Sequence, residues 1–158
     1  MPNFLLAVLI FAPVAITLLL KSNAAQAFFA LCASFTVISF AGADLADLTK
    51  NLSFQIDNTT LNLVLLVVPL LLTLLFSRKA FSGSHRLLLN LVIAFCAGVL
   101  LALVAVPLLS ESARLDFAGN NFWNNLQKIQ TPVIAGGAGL SLILTWLGKS
   151  LHHPKKHK

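Results

Sequence analysis

Five long windows of the sequence contain no charged residue, and this pattern constrains the fold more than any motif does. All 11 Lys and Arg residues and all 5 Asp and Glu residues lie between these windows or after the last of them. A helix of about 20 apolar residues crosses the roughly 30 Å hydrocarbon layer of a membrane, because each residue adds about 1.5 Å. The uncharged windows reach that length and comprise residues 1–20, 22–43, 58–77, 87–110 and 129–148.

The composition agrees with a membrane protein. Only 10% of the residues are charged, whereas an ordinary soluble domain has roughly 25%. The sequence therefore predicts an all-α protein, a polytopic membrane bundle of five transmembrane helices within residues 1–148, followed by a basic cytoplasmic tail at 149–158. The predicted spans lie at about 3–20, 24–43, 60–77, 86–109 and 131–148.

The distribution of basic residues predicts the orientation of these spans. The first loop, the third loop and the tail hold eight of the 11 basic residues, and loops rich in Lys and Arg stay in the cytoplasm. We therefore expect the N-terminus outside and the C-terminus in the cytoplasm. The alternative is a signal peptide that ends near Ala27, but no basic residue precedes its apolar run, and Lys21 follows it.

The basic tail predicts binding to the bilayer through anionic lipid headgroups. A juxtamembrane basic residue gains about 1 kcal/mol near an anionic membrane surface. The tail residues concerned are Lys149, Lys155, Lys156 and Lys158. The net charge of +6 therefore indicates lipid as the partner, and not nucleic acid, because the sequence contains no basic soluble domain.

A short amphipathic helix is predicted before the last span. Apolar residues recur there at helical spacing, and they are Leu115, Phe122, Leu126 and Ile129. Asn and Gln residues occupy the other directions, and Trp favours the membrane interface. We therefore expect this helix to lie in the interface, with Phe122 and Trp123 as its anchors.

An internal repeat relates the first two predicted spans to the next two. Pro13 and Thr17 in the first span correspond to Pro69 and Thr73 in the third, each pair being four residues apart. The only two cysteines of the chain lie in matching Ala-rich segments of the second and fourth spans. Each Pro predicts a kink, and each Thr hydroxyl can bond the exposed backbone. The pattern predicts two duplicated hairpins plus one helix, the alternative being a chance match between apolar helices.

Small residues on the predicted spans indicate where helices pack, because they let backbones approach closely. The fourth span carries such residues at successive four-residue steps, which form one continuous face. The predicted packing residues are Ala30 and Ser34 in span two, Asn90, Ala94, Gly98 and Ala102 in span four, and Ala135 and Gly139 in span five. The same faces could also serve a homo-oligomer.

The sequence offers no group for catalysis. The uncharged windows contain no His, although ionisable side chains inside a membrane usually mark catalysis or ion coupling. No nucleophile, phosphate-binding or metal-binding motif occurs. We interpret the two cysteines as packing residues, and we predict no enzyme, no cofactor and no metal site.

One segment resembles a known family. The sequence Ser-Gly-Ser-His-Arg at 82–86 leads into the apolar run 87–107, and an outer segment with Trp123 follows. Over about residues 78–125 this arrangement resembles the colicin V production protein family of bacterial inner-membrane proteins. The resemblance implies four spans with the N-terminus outside and a link to toxin export or envelope upkeep. The chain departs from the family at 21–23, where an Arg-Gly-Phe-type element is expected, and in its fifth span.

Two functions remain after these exclusions. The leading hypothesis is a small non-enzymatic accessory or scaffold protein that acts through its lateral or outer surfaces, with a membrane-protein partner or a second copy of itself. The alternative is a subunit of a small-solute transporter or channel, in which the kinked first and third spans line a path. The repeat favours the alternative, whereas the lack of intramembrane charge argues against ion or proton coupling.

Overall fold

The computed structural model of the chain describes residues 2–51, 57–77, 84–109 and 111–149. These residues form seven α-helices and no strand, so the all-helical prediction is confirmed. The helices are α1 Pro2–Leu20, α2 Ala24–Asn51, α3 Asn58–Phe76, α4 Ser84–Leu108, α5 Glu111–Ala118, α6 Asn121–Lys128 and α7 Gln130–Lys149. The predicted tail residues Lys155, Lys156 and Lys158 lie outside the described residues, and so does the side chain of Lys149.

Three of the helices are long and apolar enough to cross a membrane. They are α2 over Ala24–Leu45, the whole of α3, and α4 over Leu87–Leu108. The α6 and α7 helices pass the same test as a pair, with a bend of 53° between them. The apolar part of α1, Phe4–Leu20, is shorter. The described residues therefore contain three to four candidate spans.

Large apolar side chains cover the outside of the bundle. Phe76 is 86% exposed, Phe40 is 85% exposed and Leu19 is 83% exposed. In α3 only 17% of the apolar window is buried inside the protein. Exposed apolar surface on this scale is rare in soluble monomers, and it suits helices whose outer faces contact lipid.

The fourth helix occupies the centre of the bundle. It contacts α1, α2, α3 and α7, and every residue from 97 to 106 is buried. One apolar cluster joins α4 to α2, α3 and α7, while a second joins the later half of α4 to α1, α5 and α6. Both clusters of the core therefore include α4.

Some helices pack mainly on a neighbour in the chain, and others pack on a helix further along it. The main partner of α1 is α4, the main partner of α3 is α2, and α2 packs on α4 in the middle. The α7 helix closes one side of this central pair by contacting both α2 and α4. We call the end of the bundle where α1 ends and α2 begins the Lys21 end, and the opposite end the Asp57 end.

The turn at the Lys21 end is tight. Lys21 has a φ of 49°, the left-handed conformation that usually requires glycine. The backbone N–H of Ser22 donates to the carbonyl of Thr17 at 3.1 Å, and that of Lys21 donates to Leu18 at 3.4 Å. These two bonds form a Schellman motif, which ends α1 and turns the chain into α2.

The amphipathic segment before α7 contains two short helices where the sequence predicts one. The break falls at Gly119 and Asn120, and the side chain of Asn120 accepts a hydrogen bond from the backbone N–H of Phe122 at 3.0 Å. Asn is a strong N-cap residue, so it begins a new helix at this position. As a result Leu115 lies on α5 and is exposed, instead of continuing the apolar face of α6.

Candidate functional site

The predicted small-residue face of α4 lies entirely inside the protein. Asn90, Ala94, Gly98 and Ala102 are all buried. At Gly98 the backbone of α1 comes so close that a Cβ atom would lie 1.9 Å from the carbonyl oxygen of Ile10. Only glycine fits against a backbone atom at that distance, so α1 and α4 meet here along their main chains.

The close approach of α7 is made by Gly137. A Cβ atom at this position would lie 2.5 Å from the ring of Phe28 on α2 and 3.2 Å from the Cβ of Cys96 on α4. By contrast Ala135 is exposed, and a Cβ atom at Gly139 would have no heavy atom within 4 Å. The face of α7 that contacts α2 and α4 therefore contains Gly137, and it does not contain the predicted packing residues Ala135 and Gly139.

The predicted packing residues of α2 occupy two environments. Ser34 is buried, while Ala30 is half-buried. The fully buried residues of α2 lie closer to the Lys21 end and are Ala24, Ala25, Ala27, Phe28 and Leu31. The α2 helix therefore makes its tightest contacts near its start.

The side chain of Asn90 fastens the turn at the Lys21 end to the central helix. Its Oδ1 accepts a hydrogen bond from the backbone N–H of Ala24 at 2.7 Å. Its Nδ2 donates to the carbonyl oxygen of Ser22 at 3.1 Å. All three residues are buried, so one amide satisfies two backbone groups that would otherwise be costly to bury.

A second amide lies at the same end of the bundle. The hydroxyl of Ser77, which follows α3, donates to Oε1 of Gln26 on α2. This contact was not predicted from the sequence. The signal for it is the offset of the repeat, because Gln26 and Asn90 are 64 positions apart, as are Cys32 and Cys96. In both cases an amide near the start of one helix holds the end of a helix from the other predicted hairpin.

The two predicted Pro–Thr pairs make the same hydrogen bond. Thr17 Oγ1 donates to the carbonyl of Pro13 at 2.7 Å, with the carbonyl of Val14 at 2.8 Å sharing the proton. Thr73 Oγ1 donates to the carbonyl of Pro69 at 2.7 Å. Pro13 and Thr17 are buried, whereas Pro69 and Thr73 are half-buried. Each hydroxyl is thereby satisfied within its own helix.

Three buried serine hydroxyls behave differently. The side-chain oxygens of Ser22, Ser34 and Ser141 have no hydrogen-bond partner in the part of the chain that the structure describes. In contrast Thr36 and Thr145, on the same two long helices as Ser34 and Ser141, bond the carbonyl four residues earlier. The two helices therefore carry unpaired polar atoms inside the bundle.

The predicted interface anchors are split between two surroundings. Trp123 is buried and packs against Phe117 of α5, with ring centroids 6.3 Å apart. Phe122 is half exposed and lies beside an apolar groove of ≈ 340 Å³ that α1 forms with Ala7, Ile10 and Phe11. Both aromatic residues therefore contact the protein itself.

A more polar cavity of ≈ 360 Å³ opens at the Asp57 end, where α4 stops and α5 and α6 cross it. Val106, Pro107 and Trp123 contribute its apolar wall. Glu111, Arg114 and Gln127 contribute charged and polar groups. An acid, a base and an aromatic ring therefore line one cavity here.

The described residues contain no group of three or more His, Cys, Asp and Glu side chains that could hold a metal ion. Both cysteines are free thiols. No family model, curated protein or solved structure matches the chain.

Proposed function

We propose that this protein is a non-enzymatic accessory or scaffold protein of a membrane, which acts on other membrane proteins through its lateral or outer surfaces. The observation that carries the proposal is the position of α4. A helix buried on all sides over residues 97–106 fills the axis of the bundle, so the interior serves packing, and the outward-facing surfaces are what a partner meets.

The tight contacts of α4 support this role. Gly98 lies against the backbone of Ile10 on α1, and Gly137 on α7 lies against Cys96 on α4, so an added Cβ would have no free space at either of these two levels. A path for a solute needs a lumen or a gap between helices that opens. A tightly packed centre with large apolar side chains outside is instead suited to holding a partner helix in the membrane.

The finer topology belongs to the same proposal. Five spans, with α1 as the first and the bent α6–α7 pair supplying the last, leave the N-terminus outside and the C-terminus in the cytoplasm, as the basic residues favour. The α1 helix is short, but it packs along α4 over much of its length. Reporter fusions after residues 21, 57, 80, 119 and 158 test this topology, since alternating locations are expected.

Duplication of a helical hairpin is a further part of the proposal. A two-fold axis along the membrane normal would exchange α1 with α3 and α2 with α4. The contacts of α1 with α4 and of α3 with α2 are exchanged by the same operation. So are the two Thr–Pro bonds and the two amides, Asn90 and Gln26, that hold the ends of α1 and α3.

The cellular setting rests on sequence. The resemblance to the colicin V production protein family supports location in a bacterial inner membrane and a role in export or envelope upkeep. Lysines at 149, 155, 156 and 158 support binding of anionic headgroups on the cytoplasmic side.

Photocrosslinking in intact membranes tests the scaffold role. A photoreactive amino acid at Leu19, Phe40 or Phe76, which are among the most exposed apolar positions, should give a discrete adduct with one membrane protein or with a second copy of the chain. The matched control is Leu74, which is fully buried in the same kind of helix. Adducts with lipid alone from all three exposed positions would contradict the proposal.

The alternative, a subunit of a small-solute transporter or channel, is favoured by the unpaired hydroxyls of Ser34 and Ser141. Swelling of proteoliposomes in glycerol measures such a path. A transporter should speed swelling, and Ser34→Ala with Ser141→Ala should slow it again. A scaffold should leave swelling at the rate of empty liposomes.

A further inference from the structure

We propose that the cavity at the Asp57 end binds a small zwitterion that carries a phosphate group and a primary ammonium group. The cavity presents one acid and one base, Glu111 and Arg114, which are three positions apart on α5. The Cβ atoms of residues at this spacing are about 5–6 Å apart. A single molecule whose two charges are separated by a few bonds can therefore contact both side chains at once.

Both charges are available to a ligand. Glu111 and Arg114 are exposed, and within the described part of the chain neither side chain makes a hydrogen bond or an ion pair, although their spacing would allow them to pair. They lie next to an apolar wall that includes Val106 and Trp123. Charges beside an apolar wall attract a ligand more strongly than charges in open water.

Each lining group has a counterpart on such a molecule. The planar guanidinium of Arg114 can bond two phosphate oxygens at once. The carboxylate of Glu111 and the side-chain carbonyl of Gln127 accept hydrogen bonds from an ammonium group, which has three donors. Trp123 adds an aromatic surface, which attracts cations. The volume of ≈ 360 Å³ is within the usual range for small-molecule sites.

The place of the cavity suggests two sources for the zwitterion. The candidate span in α4 ends at Leu108, so the cavity lies at the level of one membrane surface, where phospholipid headgroups of this chemistry are found. A free zwitterion in solution carries the same two groups. The inference does not depend on the scaffold role or on which side of the membrane is outside.

Fluorescence of Trp123 tests the site directly. In a Trp146→Phe background Trp123 is the only tryptophan, and Trp146 is a suitable residue to replace because it is 75% exposed. The purified protein in an uncharged maltoside detergent is titrated with O-phosphoethanolamine, inorganic phosphate and ethanolamine. The same protein is also reconstituted in phosphatidylglycerol vesicles that contain a rising fraction of phosphatidylethanolamine.

We expect a saturable change in emission with O-phosphoethanolamine or with phosphatidylethanolamine. The affinity should fall about 10-fold or more in Glu111→Gln and in Arg114→Gln, since each loses a charge-assisted hydrogen bond. The matched controls are Asp116→Asn, which removes a negative charge, and Lys128→Gln, which removes a positive charge. Both residues are exposed and do not line the cavity. These controls should bind like the parent protein.

The outcomes separate the alternatives. A response in detergent identifies a free zwitterion as sufficient, and a response in vesicles alone identifies the lipid headgroup; both support the site. No saturable response in either setting would overturn it. Equal affinity for inorganic phosphate would show a simple anion site. An equal loss of affinity in the control variants would show a general effect of charge. Either result would also overturn the proposal.

Discussion

Replacement of Gly98 by Ala tests whether the contact between α1 and α4 holds the bundle together. The added Cβ would lie 1.9 Å from the carbonyl oxygen of Ile10, whereas a carbon and a carbonyl oxygen need about 3.3 Å. The obstacle is a backbone atom, which cannot rotate away. The two helices must therefore separate by about 1.4 Å at this level, which opens the cluster that contains Leu6, Ile10 and Val99.

The expected cost follows from two opposing effects. Overpacking of a buried site costs about 1–3 kcal/mol, and the immovable backbone atom places Gly98 at the upper end of that range. Ala is a better helix former than Gly by about 1 kcal/mol. We therefore expect Gly98→Ala to lower the free energy of unfolding by about 2 kcal/mol, as measured by titration with SDS in mixed micelles.

Gly136 and Gly139 supply the matched controls, because an added Cβ at either position meets no heavy atom within 4 Å. Their replacement by Ala should leave the free energy of unfolding unchanged or raise it by up to about 1 kcal/mol. The free energy of unfolding of Gly137→Ala should lie between that of Gly98→Ala and those of the two controls, since the obstacle at Gly137 is the ring of Phe28, which can shift. Equal stability of Gly98→Ala and Gly139→Ala would refute the reasoning.

Three other predictions use the same chain. Asn90→Ala should lower the free energy of unfolding by about 2 kcal/mol, because it leaves buried backbone groups unpaired. Gln26→Ala should lower it by only about 0.5 kcal/mol, since the bond between Gln26 and Ser77 is exposed. Equal losses in the two variants would contradict this account. Lys21→Gly should raise the unfolding free energy by about 0.5–1 kcal/mol by relieving the φ of 49°, and a lower midpoint in the SDS titration would argue against it. Cys32 and Cys96 lie within candidate spans, so a membrane-impermeant maleimide should leave both unmodified in intact membranes, as mass spectrometry would show, and rapid modification would indicate a watery path.

Much of the helical architecture could be predicted from the sequence because charges mark where apolar segments stop. The predicted starts of spans two to five lie within two residues of the helices that the structure shows. The end of α2 was not predictable in this way. The helix continues to Asn51, past Asp44 and Asp47, because a helix needs no apolar residues once it leaves the packed region, and exposed acids do not break it.

The rotation of each helix was harder to predict than its length. In α7 small residues occupy several directions, so the spacing of Ala135 and Gly139 fits a contact face as well as Gly137 does. Which face is used depends on the shape of α2 and α4, where the ring of Phe28 meets Gly137. In α4 the small residues follow one line only, and there the predicted face is the buried one.

The surroundings of Trp123 depend on a helix that has no apolar signal of its own. α5 contains Glu111, Arg114 and Asp116 among eight residues, and it places Phe117 against the indole. A tryptophan between two polar segments looks like an interface residue when the sequence is read alone. The cavity that α5 completes was missed for the same reason, since its lining residues come together only through packing.

The bond between Asn90 and the turn after α1 has a consequence for biosynthesis. Asn90 is separated from Ser22 by 68 positions, so a ribosome must make three helices before the amide that completes the first turn exists. Until then α1 has no central helix to pack on, and the apolar faces that α4 covers in the finished bundle remain without this partner. The nascent chain is thus most open to association with other membrane proteins while it is being made, and that interval ends when α4 is inserted.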